Sequence, residues 1–581
     1  MDVKNSGKRR VIVSYISVLL IGIFAYCAVF AQESQGLEPS GQPGDRLPPL
    51  IEIKPIGQQP EMALPPLSPP TKKMSGELPE ARVYVHKIIV TGSTVFSEEN
   101  LSKVTAPYEG KEVTMEDIES LRQELSVLYI NNGYITSGAV IPDQIVKDGV
   151  VRLHIIEGQL TKIEIENNKY LRDSYYRKRI ARGADSPLNI GRLQQHLGIL
   201  QENQRIQRLN VELKPSIKLG ESNLDVAVEE NLPYKFWTGF DNYISESVGG
   251  EQIQVSGAHM SLTGNGDILS LTLGGAEGLE PKVDVWYSFP FTARDTSITL
   301  RYRKNDFDVV RDIFEALNIE TDTDIYSIGL RDPIYRTPNL EIGLEGIAEH
   351  KRLKTTLLDR PFSFEPGAVN GEVKVSALRF AQDLTYRTRS TVIAARSQFS
   401  LGVDALEATI ISSDIPDGKF FAWQGQFQWL QRLKTWNQQL FFKTYAQFSA
   451  DPLVSFEQYT VGGRFTVRGY PENFFVRDNA VVASVETRIP LIENQPWADY
   501  IQLVPFFDYG WAENTNFPTP SGPRDIFSVG LGLRWAVTIF PKAKLKPQFE
   551  VFYGYKLRDI DIEEESLQEE GIHFQFAISA F

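Results

Sequence analysis

Beyond about Pro233, apolar and polar side chains alternate residue by residue through one short segment after another, with polar, Gly- or Asp-rich turns between them. Near the C-terminus Leu545, Pro547, Phe549, Val551, Tyr553 and Tyr555 are opposed by Lys546, Gln548, Glu550, Gly554 and Lys556. The same rhythm runs through Val283 to Phe291, Ile298 to Arg303 and Val529 to Val537. Successive side chains of a strand point to opposite faces, so each segment is a strand with one greasy face and one polar face. Alternation alone fits a soluble sandwich as well as a membrane barrel. Aromatic residues near the ends of the greasy faces favour an outer-membrane barrel. At roughly 20 residues per strand and turn, the remaining length allows on the order of sixteen strands. A barrel of that size encloses a wet channel.

The bulk numbers agree. A chain of 581 residues holds several domains or one very large barrel. Aromatics at 11% and 43 glycines, with no helix-spanning apolar run after residue 31, suit a β-rich membrane protein. A net charge of −14 with no basic face argues against nucleic acid as a partner. The single cysteine, Cys27, lies in the N-terminal apolar segment, so a mature chain has neither a disulfide framework nor thiol chemistry.

That segment, Val11 to Ala31 behind Lys8-Arg9-Arg10, reads as a signal peptide over residues 1–31, with an uncleaved anchor as the alternative. Residues 32–81 follow as a proline-rich linker, with eleven prolines between Leu37 and Glu80. From Arg82 a β-α-α-β-β unit is predicted: a strand Val83 to Val90, two helical stretches, and strands Ile135 to Val140 and Val150 to Glu157. Thr114 caps the second helix, whose face is Ile118, Leu121, Leu125, Leu128 and Tyr129, and Gly133 stops it. About seventy-five residues on, the pattern returns with a strand Thr161 to Glu166, a basic helix Tyr170 to Ile180 and a helix from Leu188 to about Asn203, which Asn189 caps. Strands Leu209 to Pro215 and Asn223 to Val228 complete it. A tandem repeat of this kind favours an interaction module. The expected bounds are 82–158 and 159–232 for the repeats and 233–581 for the barrel.

Within the barrel, one segment carries a charge where a strand should be interior. From Ile501 to Trp511 the odd positions are apolar or aromatic, and this places Asp508 on the opposite, lumenal face. A carboxylate there wants a cation. Arg468 stands in a Gly-flanked stretch without alternation, Gly462 to Tyr470, which suits a long loop folding inward. The two runs, Val467-Arg468-Gly469-Tyr470 and Phe506-Phe507-Asp508-Tyr509-Gly510, therefore point to one ion pair in a partly hydrated lumen.

These residues carry a family resemblance over nearly everything after Arg82. His86 to Phe96, Asn132 to Ser137, Asp148 to Leu153 and Glu157-Gly158 look like the first POTRA domain of the two-partner secretion transporters, the haemolysin-activator and filamentous-haemagglutinin-transporter type, within the POTRA-barrel assembly superfamily. Val467, Arg468, Gly469 and Tyr470 resemble the tip of that family's sixth extracellular loop. Phe506, Asp508 and Gly510 resemble its F-x-D-x-G strand. The resemblance implies a mainly β fold: a C-terminal transmembrane β-barrel of about 16 antiparallel strands behind two α+β POTRA domains in the periplasm. It implies an Arg468–Asp508 loop-to-strand latch, and transport of a large unfolded secreted protein through the bacterial outer membrane. Outer-membrane lipids and the barrel-assembly machinery are the other partners implied. Gln32 to Ser40, with Gly36 and Pro39, departs from the family's N-terminal plug helix, and Phe581 differs in parity from Ile572, Phe574, Phe576, Ile578 and Ala580.

The rival on the same architecture is an insertase for other barrels, which carries more POTRA repeats than two. A passive porin predicts none. An enzyme is not expected: His86, His154, His196, His259, His350 and His573 lack metal-ligand spacing, and no nucleophile turn or G-x-x-x-x-G-K loop occurs. No cofactor, metal or nucleotide is therefore expected. The acidic run Asp559, Asp561, Glu563, Glu564, Glu565 reads as a solvated loop, as do Asp322 and Asp324.

Overall fold

Twice between residues 82 and 232 the chain packs two helices onto a small sheet, and in both units local chemistry sets the helix starts. In the computed structural model, which describes residues 61–63, 82–310, 317–365, 367–411, 415–516, 522–540, 545–558, 560 and 566–580, β1 is Glu61–Ala63. The first unit contains β2 (Val83–Val85), β3 (Lys87–Thr91), α1 (Glu98–Thr105), β4 (Lys111–Val113), α2 (Met115–Asn131), β5 (Gly138–Val140) and β6 (Val150–Ile156). Thr114 and Asp117 cap α2 reciprocally: Asp117 N donates to Thr114 Oγ1 at 3.1 Å and Thr114 N to Asp117 Oδ2 at 2.7 Å. Its buried face, Ile118, Leu121, Leu125 and Tyr129, packs on Ile88, Val151, Leu153 and Ile155. The strand expected over Val83 to Val90 divides at His86, whose N–H donates to Gly149 O at 2.8 Å. The strand expected from Ile135 starts only at Gly138, because a turn intervenes in which Ser137 N donates to Tyr134 O.

The second unit contains β7 (Gln159–Glu166), α3 (Asp173–Ala181), α4 (Ile190–Gln201), β8 (Ile206–Pro215) and β9 (Glu221–Glu230). Asn189 caps α4 by accepting from Gly191 N at 3.0 Å and Arg192 N at 3.3 Å. The sheet order is β1-β8-β9-β7. Part of the stretch expected to be linker alone is therefore a strand: β1 pairs in parallel with β8, Met62 opposite Val211. β8 was the free edge, and an extended segment satisfies its backbone groups. The expected signal segment, the plug-helix position, the rest of the linker, the acidic residues Asp559, Asp561, Glu563, Glu564 and Glu565, and Phe581 lie outside the described residues.

Among the described residues, sixteen long antiparallel strands close a barrel, extended locally by the two-residue segments Phe307–Asp308 and Arg360–Pro361. Closure is made by the first strand, Tyr234–Asp241, and the last, Ile572–Ala580, with Phe236 opposite Ala580 and Asp241 opposite Gln575. The exposed face carries Leu271, Leu300, Ile328, Leu330, Phe380 and Leu531, as the alternation predicts for lipid. Asp322 and Asp324 belong to the sixth strand, Ile319–Arg336, not to a loop. Eighteen residues at about 3.4 Å each outrun the ~25 Å apolar band, so polar residues continue the ladder beyond it. Asp324 there accepts from Tyr302 Oη at 2.8 Å.

The second unit sits on the barrel's turns. Arg172 N donates to Gly264 O at 2.9 Å, Arg205 Nη2 to Gly266 O at 2.6 Å, and Arg179 Nε to Asp295 Oδ1 at 3.1 Å. These turns mark one end of the barrel, and in an up-and-down barrel the connection after each odd-numbered strand lies at the other.

Candidate functional site

The eleventh strand, Gln439–Ser449, and the twelfth, Asn479–Gln495, are joined by loop 450–478 at that far end. The loop descends as a two-stranded ribbon, Tyr459–Val461 against Phe475–Arg477, and turns at Gly462 and Gly463, both at positive φ. Its tip is the Val467-Arg468-Gly469-Tyr470 run. Val467 and Tyr470 are fully buried among Tyr459, Val461, Val482 and Ile526, and Tyr470 Oη donates toward the carbonyls of Phe527 and Arg558, each at 3.3 Å.

Asp508 lies in the thirteenth strand, Ala498–Glu513, opposite Ser484 and Ser528 in register. Arg468 meets its carboxylate three times: backbone N to Oδ2 at 3.0 Å, Nε to Oδ2 at 2.8 Å and Nη2 to Oδ1 at 2.9 Å. The guanidinium also donates to Glu486 Oε2 at 2.8 Å and Ser484 Oγ at 3.1 Å, and lies 3.6 Å from the Phe506 ring centroid. A fork with its face on an aromatic ring and its edges on carboxylates uses what distinguishes arginine from lysine.

All seven residues singled out in the sequence thus come together. The two motif glycines fit by absence. A Cβ on Gly510 would lie 2.4 Å from Val461 Cγ1 and 2.7 Å from Val467 Cγ2. Gly469, at φ +96°, passes Gly554 so closely that a Cβ would meet Gly554 O at 2.6 Å.

Two expectations change. The pair is buried rather than partly hydrated: Arg468 is 1% exposed and Asp508 0%, and the Phe506 and Phe552 rings lie 3.6 and 5.1 Å from the guanidinium. Nor is it one pair. Arg464 donates to Glu550 at 2.8 and 3.1 Å and sits 4.0 Å over Phe552, Arg534 also reaches Glu550 at 3.3 Å, and Gly469 N donates to His573 Nε2 at 3.2 Å. His573, read from sequence as a scattered lone histidine, holds the loop tip to the last strand. Glu486 and Ser484 share the lumenal parity of their strand, and that was the available signal for them. Among the described residues no cluster of His, Cys, Asp and Glu has metal-ligand geometry.

In the first of the two helix-and-sheet units the ionisable groups serve structure. Glu157 accepts from Thr94 N at 2.7 Å, Tyr129 Oη at 3.0 Å and Val95 N at 3.2 Å. Burial works against its charge, but these hydrogen bonds hold the carboxyl below its usual range. Burial pushes Tyr129 up to about 12.

Residues 220–535 match the family described as haemolysin secretion/activation protein ShlB/FhaC/HecB, and residues 83–158 match the POTRA domain, ShlB-type. The chain is 26% identical over 399 residues to the outer membrane transporter CdiB of Dickeya dadantii, across 66% of this chain and 68% of that one. It is 24% identical over 478 residues to the hemolysin transporter protein ShlB of Serratia marcescens, across 78% and 81%. Among solved structures, CdiB from Escherichia coli matches with TM-score 0.64 at 18% identity, covering 89% of this chain and 94% of that one. BamA from Haemophilus ducreyi lacking POTRA domains 1–3 matches with TM-score 0.51 at 15% identity, covering 86% and 100%. At these identities the structural likeness is one of fold.

Proposed function

The chain belongs to the haemolysin secretion/activation family, and from that premise we propose that its POTRA units capture an unfolded exoprotein for export while loop 450–478 gates the barrel. It is an outer-membrane transporter of the two-partner secretion type, with its POTRA domains in the periplasm. The observation that carries the gating role is the buried Arg468–Asp508 contact, which holds a loop from the far end inside a closed barrel.

Capture proceeds by strand addition. A sheet edge binds an extended chain through main-chain bonds with little demand on sequence. That β8 takes β1 in this way supports such a mode. The lumen then gives passage without exposing backbone to lipid. In this reading the chain is not an enzyme, needs no cofactor, metal, nucleotide or nucleic acid, and draws its driving force from the cargo folding outside. Outer-membrane lipids surround the greasy face, and the barrel-assembly machinery inserts the chain during biogenesis.

Family membership favours transport over the rival role of a barrel insertase. The test compares proteins in the culture medium with and without this chain. Loss of one large secreted protein is expected; loss of many outer-membrane barrels would favour the insertase.

A further inference from the structure

Loop 450–478 makes a second set of contacts that involves none of its motif. Before the ribbon begins, Leu453, Val454 and Phe456 pack into a cluster with Leu353, Val375 and Phe420. This cluster is separate from the one around Val467 and Tyr470. Glu457 follows, 0% exposed. Its carboxylate accepts from Arg379 Nη2 at 2.9 Å and pairs with Lys351 Nζ at 3.0 Å. Lys351 belongs to the seventh strand, Leu340–Leu357, and Arg379 to the eighth, Glu372–Arg387. Both cations also meet Glu349, at 3.2 and 2.6 Å, and Ser455 N donates to Glu365 at 2.8 Å.

The two stems of the loop are stitched to each other at the same level. Asp478, 1% exposed, accepts from Leu453 N at 3.1 Å, Gln458 Nε2 at 2.9 Å and, beyond the loop, Thr515 N at 2.7 Å. Residues between these points, about 459–477, therefore form a unit joined to a fixed base. In a ring of sixteen, the eighth and sixteenth strands stand half a turn apart. The loop holds the eighth through Glu457 and the sixteenth through Gly469 and His573, so it crosses the lumen.

We infer that Glu457 is a positioning residue that anchors the base of the loop to the seventh and eighth strands, and that the tip swings about this anchor when Arg468 leaves Asp508. The inference rests on the gating role given above. It assigns the two ends of the loop different tasks: the tip contact opens and the base contact stays shut while cargo passes. The base is suited to staying because Glu457 does not hold it alone: the Leu453, Val454 and Phe456 cluster and the hydrogen bonds of Asp478 to Leu453 and Gln458 would have to part with it.

The test uses the full chain in planar phosphatidylcholine bilayers and, in parallel, secretion in cells lacking the endogenous copy. Heat-modifiable migration on gels reports the folded barrel for each variant. Glu457→Gln is expected to raise the frequency of large-conductance openings severalfold and lower secretion, with Glu457→Asp intermediate. The pair Glu457→Cys with Lys351→Cys is expected to behave like Glu457→Gln until a short bifunctional thiol reagent bridges it, and then to regain the parent's conductance and secretion. Bridging Arg468→Cys to Asp508→Cys is expected to keep the channel closed and stop secretion. Parental conductance in Glu457→Gln, or blocked secretion when the 457–351 pair is bridged, would overturn the inference. If removing the chain eliminates no secreted protein, the transport reading fails instead, and the bilayer records still decide whether the base is an anchor.

Discussion

Arg468 donates three hydrogen bonds, from its backbone and two side-chain nitrogens, to the carboxylate of Asp508 forty residues away, where neither group is exposed beyond 1%. Such a contact is worth little relative to an apolar one of equal volume, yet removing one partner costs about 3–5 kcal/mol because the other charge stays buried. That asymmetry suits a latch: closed it is specific, and once the loop lifts away both charges reach water.

Arg468→Ala should therefore lower secretion while the barrel remains heat-modifiable on gels. The closed state loses about 3–5 kcal/mol, less whatever water entering beside Asp508 restores. Normal secretion by a folded Arg468→Ala chain would remove the latch from the mechanism.

Gly510→Ala should reproduce that phenotype without touching a charge. The added methyl would lie 2.4 Å from Val461 Cγ1 and 2.7 Å from Val467 Cγ2, closer than carbon atoms pack, so the loop tip must back out of the strand. Overpacking of this kind costs about 1–3 kcal/mol. Single-channel recording would register it as more frequent openings, whereas Gly257→Ala, with open space around its Cβ, should match the parent.

Asp295→Asn should loosen the second POTRA unit on the barrel. Asp295 takes Arg179 Nε at 3.1 Å and Arg336 Nη1 at 2.8 Å, joining α3 to the sixth strand through a barrel turn. The groups are partly solvated, so a loss of about 1–2 kcal/mol is expected. Pulsed spin-label distances between α3 and the barrel rim should broaden; an unchanged distribution would mean that the hydrogen bonds of the Arg172 N–H and the Arg205 guanidinium to the turn carbonyls suffice.

The first POTRA unit should weaken in acid because of Glu157. Its folded carboxyl titrates below the usual value of about 4.5. The stability it contributes is therefore complete above that pH and is lost as pH falls through the lowered folded value. The protection factors of the Thr94 and Val95 amides, measured on the intact chain against the intrinsic exchange rate at each pH, should fall below pH 4.5, and Glu157→Gln should flatten that dependence. After allowance for solvent, the contribution is about 1 kcal/mol.

Much of this architecture was legible residue by residue. The helix faces at Ile118, Leu121, Leu125 and Tyr129 follow from spacing, and the starts at Thr114 and Asn189 from side chains that reach their own backbone. Strand parity put Asp508 in the lumen, because a pleated strand leaves its side chains only two directions. These are short-range rules, and the sequence contains everything they need. What surrounds Arg468 was of another kind. Glu486, Ser484 and Phe552 reach it, and His573 reaches Gly469 beside it, only through the register of the twelfth, fifteenth and sixteenth strands, and Glu457 finds Arg379 and Lys351 only because the ring closes. β1 reads as proline-rich linker until β8 offers it an edge. The sequence alone determined the strands, their faces and one pair of motifs; closure of the barrel decided how deeply that pair is buried and that the loop is held at two sides, since long-range partners depend on register and shape that no local pattern encodes.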